Sequence, residues 1–182
     1  MVFSQHIESS AGFPPIAASD AKILILGSLP GQRSIAAYEY YAHRQNAFWR
    51  IMEALLGVKG DYASRCEQLA GKGIAVWDVL ASSVRPGSMD VDIRLDSARP
   101  NDFPGFLSAH TEIRRIGFNG RKAEQLFRQL VIAELTEFAA PLPQLISLPS
   151  TSPAYAAMSF DDKLEVWASK LELEPLTTRG RK

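Results

Sequence analysis

The chain has 182 residues, 46% of them hydrophobic, which suits one sizeable core and is short for two independent domains. Its 20 basic and 20 acidic residues give a formal net charge of zero, so a nucleic-acid partner would have to bind a local positive patch. The single cysteine excludes a structural disulfide, and with only three histidines the composition argues against a zinc or iron–sulfur centre. We expect one domain that acts as a monomer without metal or cofactor.

No apolar run reaches the length of a membrane span, and the first residues lack the basic-then-apolar order of a signal peptide. These observations predict a cytoplasmic protein with no membrane partner. The ordered core is expected over about residues 22–171. The first twenty residues and the basic tail at 174–182 are expected to be poorly ordered ends.

Four short apolar runs, each bounded by glycine, proline or polar residues, predict buried strands at 22–27, 73–80, 112–118 and 144–148. Apolar residues with helical spacing predict helices over about residues 48–56, 123–130 and 160–171. The first of these helices ends at Gly57. The last begins with Ser159 as N-cap and Asp162 as its capping-box partner.

Strands that alternate with helices predict a parallel sheet covered on both faces, because each parallel connection needs a crossover that covers the sheet. The expected fold is therefore α/β, with three α/β/α layers around a central four-stranded parallel sheet. Ligands of such folds bind beyond the carboxyl ends of the strands. This rule indicates four loops, which begin at Ser28, Ala81, Asn119 and Pro149.

The first of these loops is a tight turn, Gly27-Ser28-Leu29-Pro30-Gly31, whose backbone N–H groups suit an anion or the edge of a base. An ordinary turn after a strand is the alternative interpretation. The turn has neither the lysine and spacing of a phosphate-binding P-loop nor a dinucleotide fingerprint.

The segment at 40–49 reads Tyr-Tyr-Ala-His-Arg-Gln-Asn-Ala-Phe-Trp and stands just ahead of a predicted helix. One interpretation makes Asn46 the helix cap and the aromatic residues part of the core. It leaves unexplained why polar and aromatic side chains crowd together immediately before Asn46.

A strand that ends in Gly-Ser-Leu-Pro-Gly, followed by Tyr-Tyr-Ala-His-x-x-Asn-x-Phe-Trp, resembles the first motif of the uracil-DNA glycosylase superfamily, specifically its hypoxanthine-DNA (deoxyinosine) glycosylase branch. The second motif of that branch also occurs, as Leu-Pro-Ser-Thr-Ser-Pro-Ala at 148–154. The resemblance implies a DNA glycosylase that hydrolyses the N-glycosidic bond of a deaminated base, above all hypoxanthine, and leaves an abasic site. It also implies a DNA partner and no cofactor.

The resemblance also assigns the catalytic residues. Departure of a base leaves positive charge on the sugar and negative charge on the base, so the site needs a placed water and donors aimed at the base. Leu29 stands where much of the superfamily has a water-orienting Asp or Asn, and in the similar branch this role falls to the residue that corresponds to Asn46. An amide positions water and is not a strong base. Asn119, the second catalytic candidate, matches the donor and acceptor edge of a base, with a left-handed turn before Gly120 as the alternative.

The expected contacts to the base lie in the two parts of the first motif, the turn at 27–31 and the segment at 40–49, and in the second predicted strand. They are Gly27, Ser28, Gly31, Tyr41, His43 and Asp78. Tyr41 falls where related enzymes stack an aromatic ring on the extruded base. Gly31 stands where some members have a tyrosine that walls off pyrimidines, and we hypothesise that its absence makes room for a purine. Structural roles remain open for His43 and for Asp78, which lies near the position of a base-reading Asn.

The expected DNA contacts combine the loop of the second motif with two arginines. They are Pro149, Ser150, Thr151, Ser152, Pro153, Arg44 and Arg121. Leu148 replaces a histidine of related enzymes, Tyr155 a usual Asn and Arg44 a usual Pro. No lysine lies inside the motifs, which argues against a Schiff-base lyase step.

Two alternatives stay open. The base could be uracil, xanthine or a mismatched pyrimidine in a G:U or G:T pair, because selectivity depends on pocket shape and on the ease of extrusion. The protein could also be a non-catalytic nucleotide-binding α/β domain. The enzyme hypothesis requires Asn46 to lie across a cleft from the loop that starts at Pro149, with room for a swung-out nucleotide.

Overall fold

The computed structural model describes residues 9–87, 89–137 and 141–174. The strands are β1 (Ser9–Ala11), β2 (Ile23–Gly27), β3 (Ile74–Asp78), β4 (Leu80–Val84), β5 (Arg99–Pro100), β6 (Arg115–Asn119) and β7 (Gln144–Leu148). The helices are α1 (Gln32–Ala37), α2 (Phe48–Leu56), α3 (Tyr62–Gly71), α4 (Phe103–Ala109), α5 (Arg121–Leu130), α6 (Ile132–Thr136) and α7 (Phe160–Leu171). Short 3-10 turns at Asp90–Asp92 and Leu95–Ser97 lie between β4 and β5.

The central sheet has the order β3-β2-β6-β7, and every neighbouring pair is parallel. All five residues of β2 and of β3 are buried, as the continuous apolar runs of a sheet covered on both faces require. Helices α3, α5 and α7 pack on the sheet. The predicted α/β fold with a four-stranded parallel sheet is confirmed. The parallel order also brings the carboxyl ends of β2, β3 and β6 to one edge.

The strand predicted at 73–80 is divided between two sheets. β3 ends at Asp78, and β4 then joins an antiparallel sheet of order β1-β4-β5. At the junction the N–H of Val79 donates to Gly27 O at 2.9 Å and that of Leu80 to Ser28 O at 3.1 Å. Both side chains stay buried, and so does the polar Asp78 beside the break, so burial continues from one sheet into the other. The expectation that a ligand-binding loop starts at Ala81 is therefore wrong, because this residue lies within β4. The strand predicted at 112–118 begins later, at Arg115.

The expectation that the first twenty residues are poorly ordered is wrong for residues 9–20. β1 pairs with β4, and Ile16 forms an isolated antiparallel bridge with Val76 of the central sheet. Phe13 is buried, and its carbonyl accepts from Trp77 Nε1 at 3.0 Å and from Tyr40 Oη at 3.2 Å. These contacts are tertiary, and the segment has no periodic pattern that would predict them. The expectations for residues 1–8 and 175–182 lie outside the described residues.

The three predicted helices are present, and one of them, α5, begins two residues before its predicted start, at Arg121. α2 ends at Gly57, which has a left-handed φ of 69°. α7 begins with the expected capping box, in which Ser159 Oγ accepts from the N–H of Asp162 at 3.1 Å. Trp167 of α7 is fully buried, and its Nε1 donates to Pro149 O at 3.0 Å, which ties this helix to the loop of the second motif. Within the described ranges, no helix has the length and apolar character that a bilayer crossing demands.

Replacement of Phe13 by alanine tests whether the N-terminal segment belongs to the core. We expect Phe13→Ala to lower the free energy of unfolding by about 3–5 kcal/mol, because it removes a buried ring and leaves a cavity. Urea denaturation measures the change. Leu142→Ala, at a side chain that is 38% exposed, is the control and should change stability by no more than about 0.5 kcal/mol. A Phe13→Ala variant as stable as this control would contradict the assignment.

Candidate active site

Three strands of the central sheet end side by side and bring Asp78, Gly27 and Asn119 into one row. Gly27 of β2 pairs directly with Asp78 of β3. On its other side β2 pairs with β6, in a register that leaves Asn119 level with Gly27. Since neighbouring strands lie about 4.8 Å apart, the row spans about 10 Å. We call these three residues the strand-end row.

Gly27 is required at the centre of the row because two polar side chains approach its Cα. A Cβ at this position would collide with Asp78 Oδ1 and would lie 3.3 Å from Tyr41 Oη. The carboxyl group of Asp78 and the phenol of Tyr41 therefore both lie beside Gly27 at the edge of the sheet, without a hydrogen bond between them. Gly27, Tyr41 and Asp78 are predicted base contacts, and the structure brings all three together.

Tyr41 is held in an unusual conformation. Its φ is 56°, in the left-handed region that disfavours residues with a Cβ, and its ring stacks on Phe48 with centroids 4.1 Å apart. The hydroxyl is buried and has no hydrogen-bond partner among the described residues. Burial raises the pKa of the phenol, the nearby carboxyl of Asp78 raises it further, and the Asn119 side chain opposes the rise. Tyr41 thus presents a neutral, unpartnered hydroxyl beside the strand-end row.

Asp78 is the most deeply buried acidic group of this region. Only 4% of the residue is exposed, and Oδ2 has no hydrogen-bond partner in the part of the chain that the structure describes. Burial, with a smaller contribution from the negative charge of Asp90, raises the pKa of the Asp78 carboxyl to about 7, against an opposing effect of Arg85. This carboxyl group therefore exchanges its proton near neutral pH.

Arg85 and Asp90 belong to the site although no sequence motif contains them. The guanidinium of Arg85 is buried and donates from Nη1 to Leu29 O at 3.2 Å and from Nη2 to Pro30 O. Asp90 Oδ1 accepts from Ser28 Oγ at 2.5 Å, so the hydroxyl of this predicted base contact is already engaged. The segment after β4 thus holds the turn at 27–31 in place. Its irregular course explains why spacing arguments miss it.

Asn46 lies next to the loop of the second motif and is half-buried. Its Oδ1 accepts from the N–H of Phe48 at 2.9 Å, but the N-cap of α2 is Ala47, so the interpretation of Asn46 as the helix cap is wrong by one residue. No partner of its Nδ2 is found within the described residues. The following residue, Ala47, donates its N–H to Thr151 O at 2.9 Å. The side chain of Asn46 is thus neither lost in the core nor remote from the loop that starts at Pro149.

Thr151 joins that loop to the strand-end row. Its N–H donates to Asn119 Oδ1 at 2.8 Å, and Asn119 Nδ2 donates back to Thr151 Oγ1 at 2.8 Å. The alternative of a left-handed Asn119 is wrong, because the residue ends β6 and the positive φ of 97° belongs to Gly120. One N–H and one lone pair of the Asn119 amide remain for a ligand.

The family profile of the uracil DNA glycosylase superfamily matches residues 14–170, a range that includes the strand-end row, Asn46 and Thr151. The chain belongs to this superfamily. It is 36% identical over 115 residues to proteins named hypoxanthine DNA glycosylase from Methanosarcina barkeri and Methanosarcina acetivorans, which covers 62% of this chain and 72% of each relative. A solution NMR structure of a candidate uracil DNA glycosylase from Methanosarcina acetivorans superposes with a TM-score of 0.71 at 30% identity, over 90% of this chain and 99% of that one. These relatives confirm the resemblance stated from the two motifs.

The second superfamily motif is a loop fixed at both ends. Trp167 Nε1 holds the carbonyl of Pro149, and Lys163 Nζ donates to Tyr155 O at 2.9 Å from a residue that is only 6% exposed. Burial lowers the pKa of this lysine. Within the loop, Ser152 Oγ accepts from the N–H of Ala154 at 3.2 Å. The backbone of the loop is therefore well defined without any ligand.

The remaining predicted residues lie around this centre with fewer contacts. His43 is half-buried, and its Nδ1 accepts from the N–H of Gln45 at 3.2 Å. Arg44 and Arg121 are exposed, as phosphate contacts have to be. A Cβ on Gly31 would meet no atom within 4 Å, so open space adjoins the turn where some superfamily members have a tyrosine.

The larger of two grooves on the described surface lies away from this site. A surface groove of about 590 Å³ runs along α7, and its lining includes Leu164, Ala168 and Glu172 but none of the strand-end row, Asn46 or Thr151. Across the described ranges, no three His, Cys, Asp or Glu side chains come together as metal ligands would. The unpartnered polar groups at the carboxyl edge of the sheet remain the candidate site.

Replacement of Thr151 by valine tests the connection between the loop and the strand-end row. We expect Thr151→Val to lower the free energy of unfolding by about 1–3 kcal/mol, because it keeps the shape of the side chain and leaves Asn119 Nδ2 without its acceptor. Chemical denaturation measures the loss. Thr111→Val makes the same change at an exposed residue and should be close to neutral. Equal effects of the two substitutions would show that the contact contributes nothing.

Proposed function

We propose that this protein is a monofunctional DNA glycosylase that hydrolyses the N-glycosidic bond of a deaminated base in DNA, with deoxyinosine as its preferred lesion, and leaves an abasic site for base excision repair. The observation that carries the proposal is the position of Asn46. Its Nδ2 makes no hydrogen bond to any described residue, and the next residue, Ala47, donates its N–H to Thr151 O in the loop of the second motif. The names of the two relatives from Methanosarcina support the choice of hypoxanthine.

Asn46 orients the attacking water in this proposal. Its Oδ1 keeps one lone pair beyond the bond from Phe48, and both hydrogens of Nδ2 are available, so the amide can hold a water molecule by two hydrogen bonds. An amide does not take up a proton at neutral pH. Most of the acceleration therefore has to come from stabilisation of the departing base.

The base lies over the strand-end row in this proposal. The spare N–H and lone pair of Asn119 match the C=O and N–H edge of hypoxanthine. Tyr41 contributes its aromatic ring and its free hydroxyl, and stacking on a base is worth about 1–3 kcal/mol in nucleic-acid binders.

DNA binds through local contacts, since the formal net charge is zero. Arg44 and Arg121 are exposed and contact phosphates, while Ser150, Ser152 and Pro153 of the second motif contact the strand beside the lesion. The protein acts as a monomer in the cytoplasm. Lys163, which contacts the end of the loop of the second motif, donates its Nζ to the carbonyl of Tyr155, and this favours hydrolysis over a lyase reaction.

Replacement of Asn46 by alanine separates an enzyme from a nucleotide-binding domain. We expect Asn46→Ala to slow the single-turnover release of hypoxanthine from an inosine oligonucleotide by about 100-fold or more, while binding to the same DNA is retained. Gln45→Ala removes the adjacent, exposed amide and should leave the rate unchanged. A protein that binds the oligonucleotide but releases no base in any form would support the binding domain instead.

The preferred base is measured with duplex and single-stranded oligonucleotides that carry inosine, uracil, xanthine or a G:T mismatch. We expect release to be fastest from inosine, with an alkali-labile abasic site as the product. Faster release of uracil or thymine would assign the protein to the alternative specificity. Cleavage of the strand at neutral pH, where an abasic site survives, would overturn the monofunctional assignment.

Replacement of Gly31 by tyrosine tests the source of purine selectivity. Gly31 has an ordinary extended backbone with φ of −72°, so a tyrosine is accommodated and its ring fills the open space beside the turn. We expect Gly31→Tyr to reduce the rate on inosine relative to that on uracil by about tenfold or more. Gly71→Tyr, at an exposed residue with equally open surroundings, is the control. An unchanged ratio would show that Gly31 does not set the width of the pocket.

A further inference from the structure

Neither Asn46 nor Asn119 can donate a proton to the departing base, because both side chains are amides. Asp78, at the other end of the strand-end row, is the group with the required properties. It is buried, its Oδ2 has no partner among the described residues, and its Oδ1 lies against the Cα of Gly27. An unpartnered buried carboxylate is strongly unfavourable, and a neutral carboxylic acid at the same place costs much less.

We propose that Asp78 is a catalytic acid, which in its neutral form transfers a proton to N7 of the departing purine. This inference rests on the proposed glycosylase activity. It adds proton donation to the expected base contact of Asp78, because recognition of the base alone needs no proton transfer. A purine protonated at N7 leaves as a neutral molecule, so the negative charge that otherwise develops on the base is cancelled.

The charges around Asp78 favour its neutral form. Asp90 and Arg85 face it from the segment after β4, and the phenols of Tyr40 and Tyr41 face it from the segment before α2. Arg85 directs its Nη1 and Nη2 donors to the carbonyls of Leu29 and Pro30 and makes no hydrogen bond to Asp78. Burial and the charge of Asp90 outweigh Arg85 and raise the pKa of Asp78 to about 7. A large fraction of the protein then carries the proton at neutral pH.

The position of Asp78 also fits an acid on the leaving-group side. Asn46 is next to Thr151, and Thr151 is bonded to Asn119, so the water-positioning amide belongs to the Asn119 end of the row. Asp78 belongs to the opposite end, about 10 Å from Asn119 between backbones. Asp78 and Asn119 therefore approach the base from the two ends of the row, and the attacking water is left to Asn46, which is part of neither strand.

The bond between C1′ and N9 breaks, and its electron pair stays on the base while the proton of Asp78 moves to N7. Hypoxanthine leaves as its neutral 7H tautomer. Water adds to C1′ and loses a proton to solvent, and the Asp78 carboxylate regains a proton from solvent for the next turnover.

The test is the pH dependence of single-turnover release of hypoxanthine from an inosine oligonucleotide between pH 5.5 and 9. We expect the wild-type rate to fall tenfold per pH unit above about pH 7, where Asp78 loses its proton. Asp78→Asn should be slower by about 100-fold at pH 6.5 and should show no such fall. Asp96→Asn changes an exposed carboxylate and should keep the wild-type rate and profile. A wild-type rate that is flat through pH 7, or an Asp78→Asn variant with the wild-type rate, would overturn the proposal.

An oligonucleotide with 7-deazainosine tests the site of protonation. It lacks the N7 acceptor, so the ratio of the wild-type rate to the Asp78→Asn rate should fall from about 100 to near one. The same ratio on both substrates would overturn transfer to N7. Failure of the wild-type protein to release hypoxanthine at any pH would instead contradict the proposed function itself.

Stability reports the protonation of Asp78 without any substrate. A carboxyl whose pKa rises from 3.8 to about 7 on folding binds more protons in the folded state, so stability falls as the pH rises between these values. Asp78→Asn has the shape of the neutral acid and should fold. We expect the wild-type protein to lose stability relative to this variant between about pH 4 and pH 7 in urea denaturation. A difference that does not change with pH would show that Asp78 is already ionised, which the proposal does not survive.

Discussion

One buried threonine connects the two halves of the candidate site. Thr151 receives the N–H of Ala47 on its carbonyl and exchanges two hydrogen bonds with the amide of Asn119. It thereby joins the segment before α2, the end of β6 and the loop after β7, which are far apart in sequence. The relative position of Asn46 and the strand-end row depends on this connection, and so does every role assigned to them.

The parallel sheet supplies the second constraint on the site. Adjacent strands that end at one edge place their last residues side by side, so Asp78, Gly27 and Asn119 form a row without any contribution from the loops. Gly27 keeps the centre of the row free of a side chain, and this lets polar groups approach each other closely. A buried carboxyl, a buried phenol hydroxyl and a half-buried amide offer a departing base different kinds of polar contact at short range.

The fold could be predicted where burial leaves a regular pattern in the sequence. The runs that form β2 and β7 are apolar because of their position in the sheet, and the cap at Ser159 marks the start of α7 by local chemistry. The same kind of reasoning failed at Val79, where the chain passes from one sheet into another while its side chains stay buried, the polar Asp78 included, and at residues 9–20, which are ordered by distant partners. In the site, the motifs identified Asn46 and Asn119. Arg85 and Asp90 could not be found, because their roles depend on tertiary contacts within an irregular segment.

The rigidity of the second motif has a consequence for lesion recognition. The loop from Pro149 to Tyr155 is anchored by Trp167 at its start and by Lys163 at its end before any DNA arrives. Little conformational entropy then remains to be lost on the protein side, so the duplex has to undergo most of the distortion. Discrimination between lesions then depends on how strongly each lesion is paired and stacked in the duplex. Weakly paired lesions should enter the site more readily than the same base in a stable pair, which makes the opposing nucleotide a second determinant of repair.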